Sequence, residues 1–158
     1  MTAGVLVIGI GHPDRGDDAA GRLVARRLAG ALDPAASLVE LDGGMVELMD
    51  AWSGHANVVV VDAVRSGAPP GTLVRHEVGR TRLPLASDPS THGLGLAEAI
   101  ELARALGRLP RRLVVHGIEG ARYDLGAPLT PEVEANLGAL ADRVALEVRS
   151  LLAERADA

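Results

Sequence analysis

Three polar residues stand where their types and positions could do chemistry. Asp62 directly follows four successive valines, Val58–Val61. A carboxylate beside so apolar a run is costly to desolvate unless it is paired or binds a cation. Asp18 follows Asp17 at the expected start of a helix, where Asp is common because it caps the helix and meets its positive end. Two adjacent carboxylates need only one cap, so Asp17 is read as the cap and Asp18 as free to face a crevice. His92 closes Ser90-Thr91-His92 ahead of Gly93-Leu94-Gly95-Leu96, where glycines permit close backbone approach. Two carboxylates and an imidazole from separate segments form a nitrogen–oxygen set suited to a borderline divalent ion such as zinc or nickel. A metal so held polarises a carbonyl and lowers the pKa of bound water, a common route to hydrolysis. Without metal, an aspartate pair sharing a proton could run general acid–base hydrolysis. Each residue also has a plain structural alternative: backbone acceptor for Asp62, helix cap for Asp18, surface residue for His92.

Composition removes several competing chemistries. The chain of 158 residues has no Cys, which excludes thiol nucleophiles, thiolate zinc sites, iron–sulfur ligation and disulfides. All 16 basic residues are Arg, so a Walker phosphate loop and Schiff-base chemistry are excluded as well. Net charge is −5 and no basic run follows a phosphate backbone, so nucleic acid is not an expected partner. Aromatic content is 1%, too low for a base-stacking surface. No apolar stretch reaches the ~20 residues of a membrane span, and no signal peptide is read at the N-terminus. The expected location is the cytoplasm. Gly9-x-Gly11 and Gly16 resemble a dinucleotide turn, with Asp42 at a ribose-binding distance. The third glycine comes two residues late, however, and two aspartates occupy the helix start, where they would repel pyrophosphate. There is no G-x-S-x-G elbow.

The elements that must position these residues alternate as in an α/β domain. Strands are predicted at Val5–Ile10, Ser37–Leu41, Val58–Asp62, Thr72–Glu77 and Arg112–Ile118. The first and third are nearly continuous Val, Ile and Leu, which places them at the centre of a sheet. Helices are predicted from Asp17, over Val46–Ala51, over Gly93–Ala105, and from Pro131 with Thr130 as its cap. The long connections are Arg65–Gly71 and Gly79–Thr91, the second of functional length. A single domain over 1–158 is expected, with 153–158 a frayed polar tail. If the sheet is parallel, the crevice beyond its strand C-termini gathers Asp18, Asp42, Asp62 and His92. Among the other histidines, His55 is assigned to a turn, His76 to an edge strand and His116 to strand five. His12, in the crevice loop, is a reserve candidate.

Taken together the residues resemble the hydrogenase maturation proteases, processing endopeptidases of nickel–iron hydrogenase large subunits. Gly9-Ile-Gly-His-Pro-Asp-Arg-Gly-Asp-Asp-Ala-Ala-Gly21 is similar to the family's opening G-x-G-N-x-x-x-x-D-D/E-x-x-G. Further matches follow in order: Leu41-Asp42-Gly43-Gly44, Val60-Val61-Asp62-Ala63-Val64, Ser90 to Leu96, Gly117-Ile118-Glu119 and Leu129-Thr130-Pro131-Glu132-Val133. The resemblance implies a three-layer α/β fold of the phosphorylase/hydrolase-like kind. Its sheet would be five-stranded, mostly parallel and twisted, with Thr72–Glu77 antiparallel. It implies Asp18, Asp62 and His92 as both the metal ligands and the catalytic set. The implied reaction removes a C-terminal extension from the large-subunit precursor once nickel is inserted. The nickel would come with the precursor, and zinc or cadmium could occupy the same site. A monomer is expected. The alternatives are a non-cleaving nickel-sensing or escort protein of the same fold, or a metal-free aspartate-based hydrolase. His12 in place of Asn, Ala19 of Gly and Met45 of Thr depart from the family pattern, and His12 could add a fourth nitrogen.

Overall fold

The computed structural model describes residues 2–79 and 95–156. The apolar runs form β1 (Thr2–Ile10), β2 (Ala36–Leu41), β3 (His55–Val64), β4 (Leu73–Val78) and β5 (Arg112–Glu119). They make one five-stranded sheet in the order β2-β1-β3-β5-β4. β1 runs parallel to β2 and β3, and β3 parallel to β5. Only β4 is antiparallel, against β5. The two most continuously apolar strands are thus interior to the sheet. A 3-10 turn at Gly16–Ala19 leads into α1 (Ala20–Leu28), followed along the chain by α2 (Met45–Trp52), α3 (Leu96–Ala105) and α4 (Pro131–Ala156).

The period of two along each strand divides the core into two layers. Val5 and Val7 of β1 join Val59, Val61 and Ala63 of β3 beneath α1 and α4. Leu6, Ile8 and Ile10 join Val58 and Val60 beneath α2 and α3. Val58 to Val61 are all 0% exposed, each burial contributing about 1.5–3 kcal/mol relative to an exposed side chain. The result is the three-layer α/β arrangement, helices on both faces of a mostly parallel sheet.

Several expected boundaries move. β3 does not stop at Asp62 but continues through Ala63 and Val64, which pair with Ile118 and Glu119. His55 opens β3 rather than occupying a turn. The first helix is preceded by the 3-10 turn, and Asp17 makes no capping bond within it. The tail beyond Leu152 stays helical to Ala156, where Glu154 pairs with Arg112 of β5. Most of the Gly79–Thr91 connection and the first residues expected in the third helix lie outside the described residues.

Candidate active site

β1 has β2 on one side and β3 on the other, so the chain leaves β1 and β3 in opposite directions. The crevice at such a reversal is where open α/β sheets bind ligands. Gly9 of β1 pairs with Val61 of β3, which sets the end of β1 beside Asp62. The turn after β1 is possible only with glycine. Gly11 has φ +146, and a Cβ there would stand 1.7 Å from the Asp18 carbonyl oxygen. That close approach folds residues 11–18 back on themselves, and the 3-10 turn packs against β3.

Asp18 emerges from this fold-back 2% exposed. Its Oδ2 accepts a 2.7 Å hydrogen bond from the His12 backbone N–H. Asp62 is half-buried in β3, opposite Gly117 of β5. Both predicted aspartates therefore stand at the same edge of the sheet. His92 lies outside the described residues. The His12 ring bonds within its own loop, Nδ1 accepting from the Asp14 N–H at 3.1 Å. Asp42 is engaged by Arg22 Nη2 at 2.5 Å. The same guanidinium donates from Nε to the Gly11 carbonyl, so Arg22 ties the end of β2 to the β1 turn.

Asp17 has a different role from the expected cap. It is 0% exposed and accepts hydrogen bonds from the backbone N–H groups of Ala121, Arg122 and Thr130 and from the Thr130 hydroxyl. Burial pulls its carboxyl upward, and these bonds outweigh burial, leaving it below the ordinary Asp value. Thr130 is thus spent on Asp17, while its carbonyl accepts the Glu134 N–H at the start of α4. In the same segment the Tyr123 hydroxyl donates to the Val64 carbonyl at 3.2 Å. The Arg65 guanidinium lies 3.8 Å from the centre of the Tyr123 ring. Burial, aided by the carboxylates of Asp17 and Asp62, pushes the Tyr123 phenol up to about 12, so it is a neutral donor.

Sequence reasoning gave no role to Glu119, Tyr123 or Arg65. Glu119 is 3% exposed and accepts from the backbone N–H groups of Ser66 and Gly67 and the Ser66 hydroxyl, holding the loop that follows β3. Its signal was present, since an acid follows an apolar run there as Asp62 follows Val58–Val61. Tyr123 could have been singled out as the chain's only tyrosine. Among the described residues no group of three or more potential metal-ligating side chains converges. The two aspartates supply carboxylate oxygens of the kind a divalent cation accepts, and the third expected ligand is His92. A cavity of about 410 Å³ lies at the other end of the sheet, walled by Trp52, His55 and Arg108. It is remote from the aspartate crevice.

Comparison with known proteins bears on the family and the fold. The family described as "HycI: Hydrogenase maturation protease" matches residues 23–147. A hydrogenase expression/formation protein HupD of Thiocapsa roseopersicina is 31% identical over 137 residues, covering 84% of this chain and 62% of that protein. This chain therefore spans less than two thirds of that relative. The hydrogenase 2 maturation protease of Escherichia coli is 26% identical, covering 92% of this chain and 90% of the relative. Among solved structures, the hydrogenase maturating endopeptidase HybD from E. coli superposes with a TM-score of 0.80 at 25% identity, covering 93% of each chain. A match across most of the chain, together with this degree of identity, shows that the protein belongs to the hydrogenase maturation protease family.

Proposed function

We propose that this chain is an endopeptidase that removes the C-terminal extension of a nickel–iron hydrogenase large-subunit precursor after nickel insertion. Asp18, Asp62 and His92 read the nickel that the precursor carries, and other divalent ions such as zinc or cadmium can take its place. The observation that carries the reading is the aspartate pair at the reversal point of the sheet. Asp18 is 2% exposed and held by the His12 amide, and Asp62 stands on the neighbouring strand end. Family membership supplies the reaction class. A nickel ion at such carboxylates supplies Lewis-acid polarisation of a peptide carbonyl. The chain's own contribution is orientation: the Gly11 fold-back and the His12 amide fix the Asp18 carboxylate before substrate arrives.

The protein acts in the cytoplasm as a monomer, on a protein substrate and not on nucleic acid or membrane. A net charge of −5 speaks against nucleic acid as partner, and among the described residues no helix is long and apolar enough to cross a membrane. The test is a processing assay on nickel-loaded and nickel-free precursor, with wild type, Asp18→Ala, Asp62→Ala and His92→Ala. Wild type is expected to cut only the loaded form, and each variant to lose about 100-fold or more in rate. Precursor binding without cleavage by wild type would replace the peptidase with an escort protein. Metal-free hydrolysis of small amides, with the precursor ignored, would favour the aspartate-pair hydrolase.

A further inference from the structure

Asp17 is the member of the Asp17-Asp18 pair that the proposed chemistry leaves unused. Its Oδ2 accepts from the Ala121 N–H at 2.7 Å, the Arg122 N–H at 2.9 Å and the Thr130 hydroxyl at 2.6 Å. Its Oδ1 accepts from the Thr130 N–H at 2.7 Å, and its own N–H donates to the Arg122 carbonyl at 2.7 Å. A carboxylate that merely capped its helix would bond within its own turn. The side-chain partners of Asp17 lie 104 to 113 positions away.

Those partners belong to the segment between β5 and α4, which reaches the other two parts of the crevice. Gly126 donates its N–H to the Asp14 carbonyl at 2.7 Å, in the turn that carries Asp18. Tyr123 donates to the Val64 carbonyl, two residues beyond Asp62. The segment therefore touches both the turn that carries Asp18 and the end of the strand that carries Asp62, and Asp17 anchors it. We propose that Asp17 is the positioning residue of the site: through Thr130 and the 120–130 segment it sets the separation of the Asp18 and Asp62 carboxylates. Only an acceptor serves here, because all four incoming groups are donors, and Asn would turn an NH2 group against them.

This inference rests on reading Asp18 and Asp62 as the working pair. Thr130→Val keeps the side-chain shape and the Thr130 N–H while deleting one of the four donors. Three quantities are measured on the full chain: the Asp18–Asp62 carboxylate separation in crystal structures, Ni²⁺ binding by calorimetry, and kcat and KM on nickel-loaded precursor. Thr130→Val is expected to change the separation by more than about 0.5 Å. It should also weaken Ni²⁺ binding and lower kcat about 10-fold, with KM within about 2-fold. Thr130→Ser, which restores the hydroxyl, should recover all three. A lower melting temperature with separation, Ni²⁺ affinity and kcat unchanged would overturn the proposal and leave Asp17 a structural tie. If wild type neither binds Ni²⁺ nor processes precursor, the reading of the pair fails on its own, and the carboxylate separation alone decides the positioning role.

Discussion

Gly21 shows how little room separates the first helix from the sheet. A Cβ added there would lie 2.3 Å from the Val61 carbonyl oxygen and 2.4 Å from that of Ile10. Both are backbone atoms of interior strands, so neither can give way cheaply. Gly21→Ala is expected to cost about 2–3 kcal/mol, read as a fall in the urea midpoint at unchanged slope. Gly138 makes the contrast. It lies inside α4, and the nearest atom to an added Cβ is the mobile end of Arg27 at 3.5 Å. Gly138→Ala should raise stability by about 0.5–1 kcal/mol. Both glycines are visible in the sequence, but nothing in it says which one meets backbone. For the same reason Asp17 was read as a helix cap. Capping is a local regularity, whereas its actual donors lie in the segment between β5 and α4.

At the scale of elements, α4 is joined to the sheet by a polar cluster in which His116 and Glu147 are buried and Arg75 reaches solvent. His116 of β5, 2% exposed, shares its Nε2 with Glu147 Oε1 at 2.9 Å. Arg75 of β4 donates to both oxygens of Glu147, at 2.6 and 3.3 Å. Burial pushes the His116 imidazole below its ordinary value of 6.5, despite the pull of Glu147. Arg75 and His116 outweigh burial at Glu147 and hold it below 4.5. In both cases the unfolded chain takes up protons at a higher pH than the folded one, so stability falls with acid. The loss begins as pH drops through 6.5, where unfolded His116 charges, and steepens below 4.5 as Glu147 protonates. Glu147→Gln should flatten that lower limb and cost roughly 1–2 kcal/mol at neutral pH, since Arg75 is partly solvated. Denaturant midpoints across the pH range would check both. Element type and order were largely legible, because Val58–Val61 and the three-to-four spacing of Val133, Leu137, Leu140, Val144 and Val148 are strong periodic signals. Where β3 and α4 end was not. Those ends are decided by pairing with Ile118 and Glu119 and by the Arg112–Glu154 contact, all from distant positions.

For the whole molecule, one sheet serves two apolar layers, so neither layer can dissolve while the other keeps its floor. Each layer happens to contain one chromophore. Trp52, the chain's only tryptophan, is 1% exposed in the layer under α2 and α3. Tyr123, its only tyrosine, packs against the layer under α1 and α4. Because burial raises the phenol from 10.0 to about 12, its contribution to stability is complete below 10.0 and is lost as pH climbs toward 12. An alkaline titration therefore amounts to a two-colour optical experiment. Tyrosinate absorbance reports one face of the sheet and the red shift of indole emission the other. A single unfolding unit requires the two signals to change together, at a pH above that of a free phenol. Tyrosinate appearing well below the folded value of about 12, while the indole emission stays blue, would mean that the loop beside the aspartates opens by itself.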